Sequence, residues 1–288
     1  MVFMKTTYFS SLKYWGLALL MPVAVLLSTV ELHAEDAAFP ALFDQRERIA
    51  QPDLSGVVRL RFLTTVDFPP FNFIDSQGKL TGFHIDLIRA VCAELKIEAK
   101  CQVQAIAYNQ LQEALASGQG EAVIAGVAVT PELRRTFTFS RPILQLPARF
   151  ATRTDGPQTL AQLVDKPVGV IKGSAHEAMF RAFFPQITAK PFDNRMDMLE
   201  GMKSGAVNAV FSDALQLSFW LASREADGCC RFTDGPYFSE RFLGEGLSVM
   251  VKNDDALLAQ AIDHALTVLS RDGRLQDIYR RYFPIGLY

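Results

Sequence analysis

The stretch Val58-Arg59-Leu60-Arg61-Phe62-Leu63, then Phe68-Pro69-Pro70-Phe71, then Gly82-Phe83-His84-Ile85-Asp86-Leu87, carries the fold. Val57–Leu63 has the apolar content of a strand. The two prolines break it, because proline fixes φ and removes a backbone donor. From Phe83 to Leu95 the apolar positions Phe83, Leu87, Val91 and Leu95 recur at helical spacing. Cys101–Ile106 is a second strand, and Tyr108–Ser117 a helix ended by Gly118. Glu121–Ala125 is a buried strand leading into Ala125-Gly126-Val127-Ala128-Val129-Thr130-Pro131-Glu132, and the stretch closes at Phe139-Ser140. Strand and helix alternate, which predicts an α/β fold with a largely parallel sheet.

The alternation resumes after Asp155-Gly156-Pro157. Helical signals cover Leu160–Val164, Ala175–Phe184, Arg195–Lys203 and Ala214–Ala222. Strands are expected at Val168–Ile171 and Val207–Phe211. A polar, turn-rich stretch runs through Gly235-Pro236. Leu247–Val251 is the last strand, followed by helices at Asp255–Ser270 and Leu275–Phe283.

The chain has 288 residues, 49% hydrophobic and 21% charged, with a formal net charge of -2. That balance fits one large or two modest globular domains. It argues against nucleic acid as a partner, since phosphate binding needs clustered basic surface. At the start, Lys5 and Lys13 flank an apolar run from Trp15 to Val30, and Leu32-His33-Ala34 follows. The run falls short of the roughly 20 apolar residues of a membrane span. It has the layout of a secretion signal cleaved after Ala34, with an uncleaved anchor as the alternative. Residues 35–56 are polar and proline-punctuated, an extension or short extra helix.

Export sets the reading of the cysteines. Cys92 lies late in one helix and Cys101 opens the strand it feeds, so a Cys92–Cys101 disulfide is expected in an oxidising compartment. Two buried thiols are the alternative. Cys229 and Cys230 are expected as free or buried thiols, with a vicinal bridge as the other option. His33, His84, His176 and His264 are scattered, and no zinc spacing occurs, so no metal and no cofactor are expected.

Over Val58–Phe283 the order of these features resembles solute-binding protein family 3, the periplasmic amino-acid-type partners of ABC importers. Val168-Gly169-Val170 with Gly173-Ser174, Val207 through Asp213, Phe242 through Gly246, and Arg271-Asp272-Gly273-Arg274-Leu275 carry the later part of the resemblance. It implies a type II periplasmic binding protein fold: two lobes, two hinge crossings near Phe150–Arg153 and Gly246–Val249, and a solute held between lobes that close by hinge motion. Lobe 1 spans 57–150 and is completed by 248–288; lobe 2 spans 151–247. The implied setting is the periplasm. The implied partners are a small-molecule solute and an ABC transporter permease, and a monomer is expected.

The resemblance also implies a set of ligand-binding residues. Phe68 and Tyr108 match aromatic walls, which offer apolar area and a cation–π face; core filling is the alternative. Gly126 and Ala128 match a loop that binds through backbone groups, where the family hydroxyl is here Ala128. Thr65 replaces a family aspartate. Leu133 stands where the family has its carboxylate-pairing arginine. Arg134 follows, turned by about 100° on the helix. Ser174 opens a helix whose free N–H groups suit an anion, with a plain cap as the alternative. Asp213 matches the aspartate that holds an ammonium group, and it can also cap a helix.

Loss of the arginine would cost a carboxylate roughly 2–5 kcal/mol. The amine side is kept and the carboxylate clamp weakened, which points to a cationic or amine-bearing small molecule. The competing reading is a normal amino acid held by Ser174, backbone amides and a shifted Arg134. An enzyme of the same fold, resembling cyclohexadienyl dehydratase, is the alternative class. Glu245 and Asp213 are its possible acids, but no base–acid constellation is visible, so no catalytic residue is expected. A sensor or the binding half of a lytic transglycosylase would need a further domain, for which no room remains before Tyr288.

Overall fold

The computed structural model describes residues 43–44, 46–283 and 285–288; the expected signal peptide at 1–34 lies outside them. The first half of the chain forms strands β1 (Leu60–Thr64), β2 (Asp67–Phe68), β3 (Asn72–Ile74) and β4 (Leu80–Thr81), then helix α1 (Phe83–Glu94), β5 (Cys101–Ala105), α2 (Leu111–Ala116), β6 (Ala122–Val123), α3 (Pro131–Thr136) and β7 (Phe137–Phe139). The middle forms β8 (Ala148–Arg153), β9 (Pro167–Ile171), α4 (Ala175–Phe183), β10 (Thr188–Phe192), α5 (Arg195–Lys203), β11 (Ala209–Asp213), α6 (Ala214–Leu221), β12 (Cys230–Tyr237) and α7 (Glu240–Leu243). The chain ends with β13 (Met250–Lys252), α8 (Ala256–Arg271) and α9 (Arg274–Tyr282).

Two five-stranded sheets organise these elements, in the orders β5-β1-β6-β13-β7 and β10-β9-β11-β8-β12. In the first, β5, β1 and β6 are parallel, while β13 runs antiparallel to β6 and β7. So the strand after the second sheet returns to the first. Each sheet has its own apolar cluster. The larger gathers Phe62, Phe83, Leu87 and Tyr279 with the buried faces of α1, α8 and α9. The other gathers Phe150, Phe180, Phe184 and Phe211. A lobe forms where each sheet buries its faces against helices.

Between the lobes the chain crosses twice, and the crossings lie side by side. The Ile143 amide donates to the Leu247 carbonyl at 2.7 Å, the Leu247 amide to Leu144 at 2.8 Å, and the Ser140 amide to Val249 at 2.8 Å. The first crossing is therefore Ser140–Pro147. Phe150–Arg153, where the sequence suggested it, lies inside β8, pairing with β11. An extended crossing and a strand share the same backbone conformation, so Phe150-Ala151-Thr152-Arg153 reads alike in both.

Other local expectations also change. The turn-rich stretch contains β12, a long irregular strand whose register shifts between Phe232 and Asp234 and again before Tyr237. Its Gly235-Pro236 pair masks the strand signal. β10 was missed because Pro191 sits within it; edge strands tolerate proline, and β10 is an edge. No helix forms among the described residues of the extension. That segment instead straps lobe 1: Phe43 is buried, Arg141 Nη2 donates to Glu47 Oε1 at 2.7 Å, and His264 Nδ1 lies 2.6 Å from the Ile49 carbonyl oxygen.

Cys92 and Cys101 are bonded, with Cα atoms 6.4 Å apart. Cys229 and Cys230 are bonded too, a vicinal bridge rather than the two thiols expected. Spacing could not distinguish these cases, because adjacent residues can pair only if the local backbone turns to allow it.

Candidate functional site

The C-terminal end of β1 builds the first wall. Thr64 donates its hydroxyl to the Ile124 carbonyl at 2.7 Å, tying β1 to β6. Thr65 is buried, and its hydroxyl accepts from Asn72 Nδ2 at 2.7 Å. Asn72 Oδ1 faces His84 Nδ1 at 2.9 Å. Burial pushes the His84 imidazole down to about 3, so this side chain is neutral near pH 7. It anchors the proline turn from below. The Phe71 amide closes that turn on the Phe68 carbonyl at 2.8 Å. The backbone of Gly82 passes beneath it, where a Cβ would sit 2.3 Å from the Phe71 carbonyl oxygen.

On this base the Phe68 ring stacks on Phe71, centroids 4.7 Å apart. Its other side rests on Gly126, at φ +72°, where a Cβ would stand 2.5 Å from Phe68 Cε1. Thr65, Asp67, Phe68, Tyr108, Ala125 and Gly126 line a hollow of about 230 Å³. A neighbouring hollow of about 210 Å³ shares Thr65, Asp67 and Tyr108. Four of the expected residues, Thr65, Phe68, Tyr108 and Gly126, thus meet in one place. Sequence reasoning missed Asp67, an acid at its rim. The signal was available: where Thr65 replaces an acid, an acid stands two positions on.

The other expected residues lie elsewhere. Leu133 packs on the cluster around Leu111, Val127 and Phe137. The α3 helix that carries it starts at Thr130, whose hydroxyl accepts from the Leu133 amide at 3.2 Å. Arg134 is engaged by Glu245 and lies over the Phe139 ring at 5.6 Å. Ala128 is exposed and forms a backbone bridge with Leu247 of the second crossing. Ser174 caps α4: its hydroxyl accepts from the Glu177 amide at 3.1 Å and donates to the Ile171 carbonyl at 2.7 Å. Glu177 Oε2 accepts from the Gly173 amide at 2.7 Å, so this acid folds back over the turn before the cap and sits beside the helix start.

Asp213 ends β11 and caps α6, Oδ1 accepting from the Gln216 amide at 2.8 Å. Burial raises its carboxyl above the usual range, opposed by that bond and by the nearby charges of His176 and Arg195. Burial likewise lowers His176, against the pull of Asp213. His176 and Arg195 were not anticipated as neighbours of Asp213. They come from α4 and α5, and only the fold joins them.

A larger hollow, about 540 Å³, lies at the opposite end of β1, around Val57–Leu60, Asp255 and Leu258. Its acids are engaged: Glu121 with Arg59, Asp53 with the Ser55 amide, and Asp255 as the cap of α8. No helix there or elsewhere among the described residues is long and apolar enough to cross a membrane.

Residues 60–285 match the model of the bacterial extracellular solute-binding proteins, family 3. The chain is similar to the putative ABC transporter arginine-binding protein 2 of Escherichia coli (strain K12), 30% identical over 78% of this chain and 90% of that one. It is also similar to ABC transporter arginine-binding protein 1 of the same organism, 28% identical over 80% and 93%. Among solved structures, the L-cystine solute receptor of Neisseria gonorrhoeae in its unliganded open conformation shares the fold, with a TM-score of 0.69 at 19% identity over 80% of this chain and 94% of that one. The two Escherichia coli relatives are named for binding, in keeping with a non-enzymatic role. Two sheet-centred lobes joined by paired crossings, with a matching family pattern across almost all of both, make this chain a member of the bacterial extracellular solute-binding proteins, family 3.

Proposed function

We propose that this protein captures a cationic, amine-bearing small molecule and delivers it to an ABC transporter permease, as a monomer in the periplasm after cleavage behind Ala34. One observation carries the reading: an acid, Asp67, and two aromatic rings, Phe68 and Tyr108, share one hollow, and nothing basic lines it. Aromatic faces beside a carboxylate suit an ammonium or guanidinium group. At about 230 Å³ the hollow is smaller than a typical small-molecule site of roughly 300–1,000 Å³. That supports its being one wall, with Asp213 on lobe 2 supplying the acid of the other.

The lobe division, 57–150 with 248–288 against 151–247, belongs to the same proposal. β13 in the first sheet supports the second boundary, and β8 in the second sheet supports a first boundary nearer Pro147 than residue 150. Ala128, Arg134 and Ser174 join the solute only if closure frees them from Leu247, Glu245 and the α4 cap. The relatives named for arginine support a guanidinium ligand. The inward Leu133 and the engaged Arg134 support a weak grip on its carboxylate.

A thermal-shift and calorimetric panel of L-arginine, L-lysine, agmatine, putrescine and L-glutamate tests this. Ligand at about a hundred times its Kd stabilises by about 2.7 kcal/mol. The cations should raise Tm and L-glutamate should not. Agmatine, which lacks the carboxylate, should bind within about tenfold of L-arginine. A preference for L-arginine above roughly 30-fold, about 2 kcal/mol, would restore a strong carboxylate clamp and overturn that part of the reading.

A further inference from the structure

Asp213 has a titratable neighbour to which the reading above gives no task. His176 is the second residue of α4, just past the Gly173-Ser174 turn. Its Nε2 is shielded from solvent and has no hydrogen-bond partner. Buried polar atoms in native proteins are almost always paired, so an exception marks a place where a partner can arrive in another state. His84 also leaves Nε2 unpaired, but it lies wholly in the core, with Nδ1 held by Asn72 and no charged group acting on it. His176 is different, because it answers to charges on two other elements: Asp213 at the head of α6 and Arg195 at the start of α5.

The remaining charges around α4 are occupied. Glu177 binds Arg181 and the Gly173 amide, and Lys172 pairs with Asp193 at 3.8 Å. Arg241 of α7 lies over Phe242, and Lys190 of β10 over Phe192. A neutral imidazole with a free lone pair beside a carboxylate is a receptor for a donor-bearing cation. A charged imidazole repels the same cation and has no lone pair to offer.

We propose that His176 reads the solute together with Asp213, its Nε2 accepting a hydrogen bond from the bound cation, and that capture is therefore coupled to proton release. The inference rests on the cationic-solute reading. In the empty protein burial lowers the His176 proton affinity and raises that of Asp213 from their ordinary values. Binding requires neutral His176 and ionised Asp213. Any proton held by either group leaves as the solute enters.

Calorimetry of L-arginine and agmatine binding between about pH 5 and 8 provides the test. In the wild type, Kd should rise on acidification, steepening toward about two decades per pH unit as both groups protonate. In His176→Gln, which keeps an acceptor but cannot charge, the slope should approach about one decade. His176→Leu, with no acceptor, should bind about tenfold or more weaker than His176→Gln at neutral pH. Wild-type binding near pH 6 should also release protons, seen as different heats in buffers of different ionisation enthalpy, a readout independent of how any variant folds. Equal heats in both buffers overturn the inference, as do His176→Gln and His176→Leu that match the wild type in affinity and slope. If the wild type binds none of the cations, the solute reading itself falls and takes this inference with it.

Discussion

Replacing Gly126 by alanine tests the site and its construction together. At φ +72° an L-residue loses about 1–2 kcal/mol relative to glycine. The new methyl would stand 2.5 Å from Phe68 Cε1 and 3.1 Å from Cδ1, against an ordinary carbon–carbon contact of about 3.5–4.0 Å. The ring must therefore move by about 1 Å, which disturbs its 4.7 Å stack on Phe71 and the lining of the hollow. Overpacking of this kind costs about 1–3 kcal/mol. The expected loss of stability is about 2–5 kcal/mol in total, or a Tm lowered by very roughly 5–15 °C for a chain of this length. Gly78→Ala separates the two contributions. Gly78 has nearly the same φ, +77°, and nothing within 4 Å of its hypothetical Cβ. It should lose only the backbone share, about 1–2 kcal/mol, and leave L-arginine and agmatine binding untouched. Gly126→Ala should weaken both by about tenfold or more. Scanning calorimetry and titration calorimetry on the two variants decide. If Gly126→Ala is no less stable than Gly78→Ala and binds as well as the wild type, the Phe68–Gly126 contact neither shapes the site nor supports the fold.

Three further outcomes follow from named contacts. Asp213→Asn keeps an oxygen for the Gln216 amide, so Tm should barely change, while cation affinity falls by about 2–5 kcal/mol; unchanged affinity by calorimetry would remove Asp213 from the site. Cys92→Ser with Cys101→Ser opens a loop of sequence separation 9 and should cost about 3 kcal/mol in urea unfolding. Cys229→Ser with Cys230→Ser opens no chain loop and should cost far less; equal losses would reject the loop-entropy account. Burial pushes Asp263 up to about 6, above its unfolded range, so the native state holds a proton there more readily than the unfolded chain, and stability is lost as pH rises through that value. Asp263→Asn keeps an acceptor for the Arg141 amide and should raise Tm relative to wild type at about pH 7.5 but not at about pH 4.5. A difference of the same size at both pH values contradicts that assignment.

Much of lobe 1 was legible because its signals are local. The helical stripe of Phe83–Glu94, the Thr130 cap with Pro131, and the glycine after the β6 strand depend on residues close in sequence. The ordered series of motifs told the family for the same reason. The Cys92–Cys101 bond followed once the order of helix and strand was known, whereas the Phe68–Gly126 contact joins residues far apart along the chain and came only from the fold. Lobe 2 was less legible. β12 carries Gly235-Pro236 and shifts its register, and β10 carries a proline that only an edge position permits, so their strand character comes from partners rather than from propensity.

Sequence alone determined the α/β alternation, an aromatic proline turn, a glycine loop after a strand, and an aspartate that closes the strand before α6. Those features are written in spacing, cap residues and apolar period. Only tertiary structure decided which polar groups remain free to act. It engaged Arg134 with Glu245, turned Leu133 into an apolar cluster, folded Glu177 back onto the Gly173 amide, and brought Asp67 to the hollow and His176 to Asp213. The reason is physical: a side chain's charge and hydrogen-bonding capacity are properties of its residue type, but whether they are already spent depends on neighbours far away along the chain.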